Sequence, residues 1–118
     1  MNTYKYGDIV TVRVNNHSET NQKGGTRNAV IVSADVINDI LQTVIVCPII
    51  ASKGVSDTRI GATFIPKNVG GLERDGLAFS LQIKTIHKDR IVQRIGSLPM
   101  EYLYQIKESL QAVLDLDE

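Results

Sequence analysis

Apolar and polar residues alternate from Ile9 to Val14 (IVTVRV), the period-two pattern of a strand with one wet face. Asn16 to Gln22 then holds no aliphatic residue, so nothing there anchors a core and the segment is expected as a surface loop. Ala29-Val30-Ile31-Val32 marks a second strand, Asn28–Ser33, buried on both faces. Val36, Ile37, Ile40 and Leu41 fall at helix-compatible spacing, which predicts a helical turn or irregular crossover over 34–42. Thr43–Pro48, rich in β-branched residues, is a third strand and Thr58–Pro66 a fourth. Leu77–Ile83, continued by Thr85 and Ile86, is a fifth, and Ile91–Leu98 a sixth. Asn68–Gly71 and Glu73–Gly76 between them are turn chemistry. From Pro99 the period changes. Leu103, Ile106, Leu110, Val113 and Leu114 form one stripe of an amphipathic helix, with Pro99 at its first position and Glu101 favouring its dipole. Strands first and a helix last predict a mostly β or α+β fold: a small barrel or strongly curved sheet closed by a C-terminal helix.

At 118 residues and 42% apolar content the chain is expected to form a single domain, residues 1–118, with its own core. No apolar run approaches the roughly 20 residues of a membrane span. MNTYKYGD lacks the apolar stretch of a secretory signal. Cys47, the only cysteine, lies in the apolar run Val44–Ile50, which predicts a buried, inert thiol in a cytoplasmic protein. It also argues against a structural zinc site. The net charge of zero hides an asymmetry. Residues 99–118 carry five acidic side chains against Lys107 alone, net −4, leaving 12 Lys/Arg and 8 Asp/Glu, net +4, in the first 98. A basic body of this kind accepts a polyanion on one face.

Phosphate-binding glycine loops, a GxGxxG fingerprint and an HExxH helix are all absent. The serines form no nucleophile elbow, and four tyrosines with two phenylalanines are too few for a multi-base stacking platform. Neither a metal nor a cofactor is expected. What remains is the junction Gly24-Gly25-Thr26-Arg27. The paired glycine permits close backbone approach, and Arg27 stands where a loop meets a stiff strand, a place that suits a guanidinium holding a phosphate. The alternative is a solvated arginine at a hairpin.

Gly7-Asp8-Ile9, Gly24-Gly25-Thr26-Arg27 before an apolar strand, Thr43-Val44-Ile45-Val46, Glu73-Arg74-Asp75-Gly76-Leu77-Ala78 and Gln82-Ile83-Lys84-Thr85-Ile86 follow one another in an order that resembles the MazF/PemK/Kid family of toxin ribonucleases. The resemblance covers nearly the whole chain. It implies a small SH3-like β-barrel of the CcdB/MazF type with a C-terminal helix, a homodimer, and a cognate antitoxin whose disordered tail threads the RNA groove. It also implies metal-independent cleavage of single-stranded RNA (mRNA) by attack of the ribose 2′-hydroxyl on its neighbouring phosphate. In that reading Arg27 holds the phosphate, and His17 or Glu19 accepts the proton, with His87 as a third candidate. Gly24, Gly25, Thr26, Ser52, Lys53 and Gln82 touch RNA.

The same resemblance marks departures. The family's Thr or Ser at the end of the third strand falls on Ile49 or Ile50, its acidic residue before the matched Gln on Leu81, and its proline after the arginine on Asn28. Isoleucine has no hydrogen-bonding atom. The alternatives to a toxin endoribonuclease are therefore a protein of the same fold that binds RNA or an antitoxin tail without cleavage, and a gyrase poison of the CcdB type.

Overall fold

The computed structural model describes residues 3–14, 25–54, 56 and 59–116. Seven strands form one curved antiparallel sheet: β1 (Asp8–Arg13), β2 (Thr26–Ile31), β3 (Thr43–Ala51), β4 (Ala62–Ile65), β5 (Gly76–Phe79), β6 (Lys84–His87) and β7 (Ile91–Ser97). The strand order is β4-β5-β3-β2-β1-β7, with β6 on β3. Among the described residues β4 and β7 are not paired to each other, so the sheet curls like a barrel without closing. Two helices complete the fold, α1 (Asp35–Ile40) and α2 (Met100–Val113).

β3 is the axis of this arrangement. Val46 to Pro48 pair with β2, while the other edge is shared: Thr43–Val46 pair with β6 and Ile49–Ala51 with β5. Pro48 falls in the gap between those two partners, where a residue lacking an N–H costs least. The apolar run Leu77–Ile83 is accordingly not one strand. A 3-10 turn at Ser80–Gln82 breaks it into β5 and β6, each following half of β3.

Alternation along the strands fills two cores, one on each face of the sheet. Ile9, Val30, Cys47, Ile49, Ile65, Leu72 and Ala78 pack with Leu103 and Ile106 of α2. Val10, Val12, Ala29, Ile31, Val44, Val46, Ile86 and Ile91 fill the other. Burying one such side chain contributes about 1.5–3 kcal/mol, and β1, β2 and β3 contribute to both cores. Of the apolar run Val44–Ile50, Val44, Val46, Cys47 and Ile49 are buried inside the chain, while Ile45 and Ile50 are half-buried. α2 buries Leu103 and Ile106 of its stripe and half-buries Leu110 and Val113, while Leu114 is its exposed C-cap; it begins one residue later than expected, with Pro99 as N-cap.

α1 is the reverse of an ordinary surface helix. Val36, Ile37, Ile40 and Leu41 are exposed, and its only buried residue is Asn38. The reason is a polar staple. The Asn38 amide donates to the Ser33 carbonyl at 3.0 Å, the Ser33 hydroxyl donates to the Asn38 side-chain oxygen, and the Ile45 N–H donates to that hydroxyl at 3.0 Å. A buried amide with all its partners holds the helix in this orientation, since breaking the set would strand polar groups.

Candidate functional site

A concavity of about 900 Å³ lies at the Ala51 end of β3. Its floor is the sheet: Thr11 of β1, Thr26, Arg27 and Asn28 of β2, Ile49, Ile50 and Ala51 of β3, and Gln93 and Ile95 of β7. Its wall is the segment Gly71–Gly76, which brings Glu73, Arg74 and Asp75 to the rim.

Arg27 is held by the sheet rather than by a hinge. β2 begins at Thr26, two residues earlier than the apolar pattern suggests, and Arg27 is paired with Val12. The Val14 N–H donates to the Gly25 carbonyl at 2.8 Å, extending the ladder past the strand end. A guanidinium on a paired strand loses less freedom on gripping a ligand than one on a loop.

The wall is equally fixed at its base. Gly71 has φ +89, and a Cβ there would meet the Ile95 carbonyl oxygen at 2.4 Å; a Cβ on Gly96 would meet the Gly70 carbonyl at 2.3 Å. Only glycine allows the loop backbone to lie this close to β7. The Asn68 N–H donates to the Leu72 carbonyl at 2.8 Å, the Lys67 N–H to the Asp75 carboxylate at 2.7 Å and the Ser52 N–H to the Asp75 carbonyl at 3.2 Å. Leu72 is buried beneath. Asp75 is therefore committed to holding the loop. Glu73 and Arg74, between these anchors, are exposed, and no hydrogen bond or ion pair joins their side chains or that of Arg27 to a described residue. Glu73, Arg74 and Arg27 thus line a common cavity, their side chains uncommitted to any described residue. They can hold a phosphate and accept a proton beside it.

Other expected site residues are placed elsewhere or outside the description. His17, Glu19 and Gly24 lie outside the described residues. Thr26 lines the cavity and Gly25 precedes it. Ser52 and Lys53 follow the cavity's Ala51 without lining it; the Ser52 hydroxyl is engaged with Gly54, donating to its carbonyl at 3.1 Å. Gln82 sits in the 3-10 turn after β5, away from the lining. Leu81 belongs to that turn too, half exposed, with its side chain and that of Val113 of α2 both beside Gly61. It leaves no hole in the cavity's chemistry. Ile49 and Ile50 do line it.

Within one chain His87 stands far from Arg27. It pairs with Thr43, at the opposite end of β3 from Ile50, and seven residues of strand at about 3.3 Å each separate the two rows. Its Nδ1 accepts from the Asp89 N–H at 3.2 Å. Cys47 is buried in the α2-side core, and burial pushes its thiol up to about 12. It is inert at neutral pH.

Glu73 and Arg74 were legible as turn residues only. Nothing in their local spelling tells that the β4–β5 hairpin folds back onto β7 and faces Arg27.

Residues 5–114 match the family described as PemK-like, MazF-like toxin of type II toxin-antitoxin system. The chain is similar to Endoribonuclease EndoA of Bacillus subtilis, 31% identical over 101 residues that cover 80% of this chain and 81% of that one. It is also similar to Endoribonuclease MazF6 of Mycobacterium tuberculosis, 24% identical over 95 residues, covering 80% and 83%. In fold it is similar to a MazE-MazF crystal structure (Form-II) from Deinococcus radiodurans, with TM-score 0.81, 17% identity and coverage of 99% and 100%. An endoribonuclease in complex with its cognate antitoxin from a mycobacterial species gives TM-score 0.74 at 17% identity, covering 100% and 99%.

Proposed function

The chain belongs to the PemK-like, MazF-like toxins of type II toxin–antitoxin systems, and from that membership we propose that it is a toxin endoribonuclease cutting single-stranded mRNA in the cavity beside Arg27. The observation that carries the site assignment is the convergence of Arg27, Arg74 and Glu73, uncommitted, on one concavity between a paired strand and a stapled loop.

In this reading the ribose 2′-hydroxyl attacks the adjacent phosphorus in line while the bond to the 5′-oxygen breaks. The products are a 2′,3′-cyclic phosphate and a 5′-hydroxyl. Glu73 takes the proton of the attacking hydroxyl. Arg27 and Arg74 donate N–H groups to the non-bridging oxygens as their charge grows, supplying the positive charge that a metal supplies elsewhere. The leaving 5′-oxygen takes a proton from water at the open mouth of the cavity. The likeness to proteins named endoribonucleases, one of them solved with its antitoxin, supports this reading and a cognate antitoxin as partner. The protein then acts in the cytoplasm, as a homodimer; light scattering that finds only monomer at micromolar concentration contradicts the latter.

A second reading rests on Ile49 and Ile50, which line the cavity without a hydrogen-bonding atom: a module that grips RNA or an antitoxin tail and does not cut. One experiment separates the two. The protein is incubated with single-stranded RNA and with the same strand carrying 2′-deoxyribose throughout. The nuclease yields fragments ending in cyclic phosphate from the first and none from the second. Cleavage of the deoxy strand removes the 2′-hydroxyl from the mechanism, and salt-sensitive binding of RNA without product leaves only the binding module. Parallel His17→Ala and Glu19→Ala variants test the loop: a larger loss than Glu73→Gln moves the proton acceptor there.

A further inference from the structure

On the floor of the cavity, one step beyond the edge of the α2-side core, three uncharged polar side chains stand in a row across three strands. Asn28 of β2 is paired with Thr11 of β1, and Thr11 with Gln93 of β7. All three line the cavity, with Leu72 and Ile95 beside them. Directly paired side chains are about 5 Å apart, so the row spans about 10 Å. Its internal hydrogen bond gives it a direction: the Thr11 hydroxyl donates to the Asn28 side-chain oxygen at 3.1 Å. With that oxygen engaged, the Asn28 amide offers the cavity its N–H groups. Gln93, exposed and free to rotate, can offer its oxygen.

We infer that the Asn28–Thr11–Gln93 row reads one unstacked base of the RNA and selects an edge carrying a carbonyl next to a ring N–H, as in uracil and guanine. The inference rests on the RNA reading above and adds the substrate preference. Single-stranded RNA is recognised by splaying bases out and bonding their edges. The Asn28 N–H meets the carbonyl and the Gln93 oxygen meets the ring N–H. Cytosine and adenine put an amino group against the Asn28 donor, which leaves two donors face to face. Leu72 and Ile95 give the ring an apolar surface.

The test uses short single-stranded 2′-O-methyl oligonucleotides, which lack the attacking hydroxyl and so report binding alone: uridine, inosine (for guanine), cytidine and adenosine homopolymers. The wild type binds the uridine and inosine strands about tenfold tighter than the other two, the discrimination of one matched pair. Asn28→Asp, whose carboxylate only accepts, weakens all four through its charge and reverses their ranking. Thr11→Val releases the amide to rotate and flattens the ranking without reversing it. Arg27→Ala weakens all four by the same factor and keeps the ranking. Wild-type affinities within about twofold of one another, or an Asn28→Asp protein with the wild-type ranking, overturn the inference. If either occurs while unmodified RNA is still cut, the cleavage reading stands; if the ranking holds and unmodified RNA stays whole, only that reading falls.

Discussion

At the Thr43 end of β3 the charged and polar side chains are spent on the protein itself; at the Ala51 end they are left open. In the 3-10 turn that follows His87, Lys88 donates through Nζ to the Asn38 carbonyl, Arg13 donates to the Asp89 carbonyl at 3.1 Å, and Arg90 donates twice to the Arg13 carbonyl at 3.0 and 3.2 Å. The His87 Nδ1 accepts from the Asp89 N–H at 3.2 Å. At the other end Arg27, Glu73 and Arg74 reach no described partner, although the backbone beneath them is fixed by Gly71, Gly96 and Asp75. The same residue types close a fold in one place and wait for a ligand in the other. Rigid backbone under uncommitted charge, not charge alone, is what distinguishes a site from a surface.

The contrast can be broken by substitution. Glu73→Gln removes the proton acceptor while keeping the shape, so single-turnover RNA cleavage falls about 10³-fold with RNA affinity retained. A loss under about threefold would return Glu73 to ordinary surface. Asn38→Ala, near the knitted end, strips the α1 staple and leaves Ser33 without its partner. It costs about 2 kcal/mol of stability, read in urea midpoints, and does not change the cleavage rate of the folded protein. Arg74→Ala weakens RNA binding about tenfold and lowers the slope of log affinity against log salt by about one, as loss of a single phosphate contact requires. Smallest is a control from the core between the two ends. The folded protein holds the Cys47 thiol protonated up to about 12, against an ordinary value of 9.0. The unfolded chain therefore loses a proton first, and stability falls as pH rises through that window, by at most about 1.4 kcal/mol per unit. Cys47→Ala shows a shallower decline; equal slopes would mean the thiol is not shielded.

Much of this arrangement is written locally. The alternation at Ile9–Val14, the apolar run Ala29–Val32 and the stripe from Leu103 to Val113 appear as β1, β2 and α2, because period two and period 3.6 are imposed by the backbone whatever the neighbours do. Three features are not local. The spacing of Val36, Ile37, Ile40 and Leu41 gives a helix but not the face it buries, and the Ser33–Asn38 staple turns the polar side inward. Leu77–Ile83 contains no glycine or proline to mark its 3-10 turn, which arises because β5 and β6 must share one edge of β3. The cavity's second half, Glu73 and Arg74, depends on a hairpin lying against β7 through contacts between distant glycines. Arg27, by contrast, stands out from its own neighbourhood of Gly24-Gly25-Thr26 and an apolar strand.

The most direct measurement sets the two ends of β3 against each other in one assay: the rate of single-stranded RNA cleavage by Arg27→Ala and by His87→Ala. The account predicts a loss of about 100–1,000-fold for Arg27→Ala and the parental rate for His87→Ala. Equal cleavage by the parent and Arg27→Ala, or a comparable loss in His87→Ala, would contradict it.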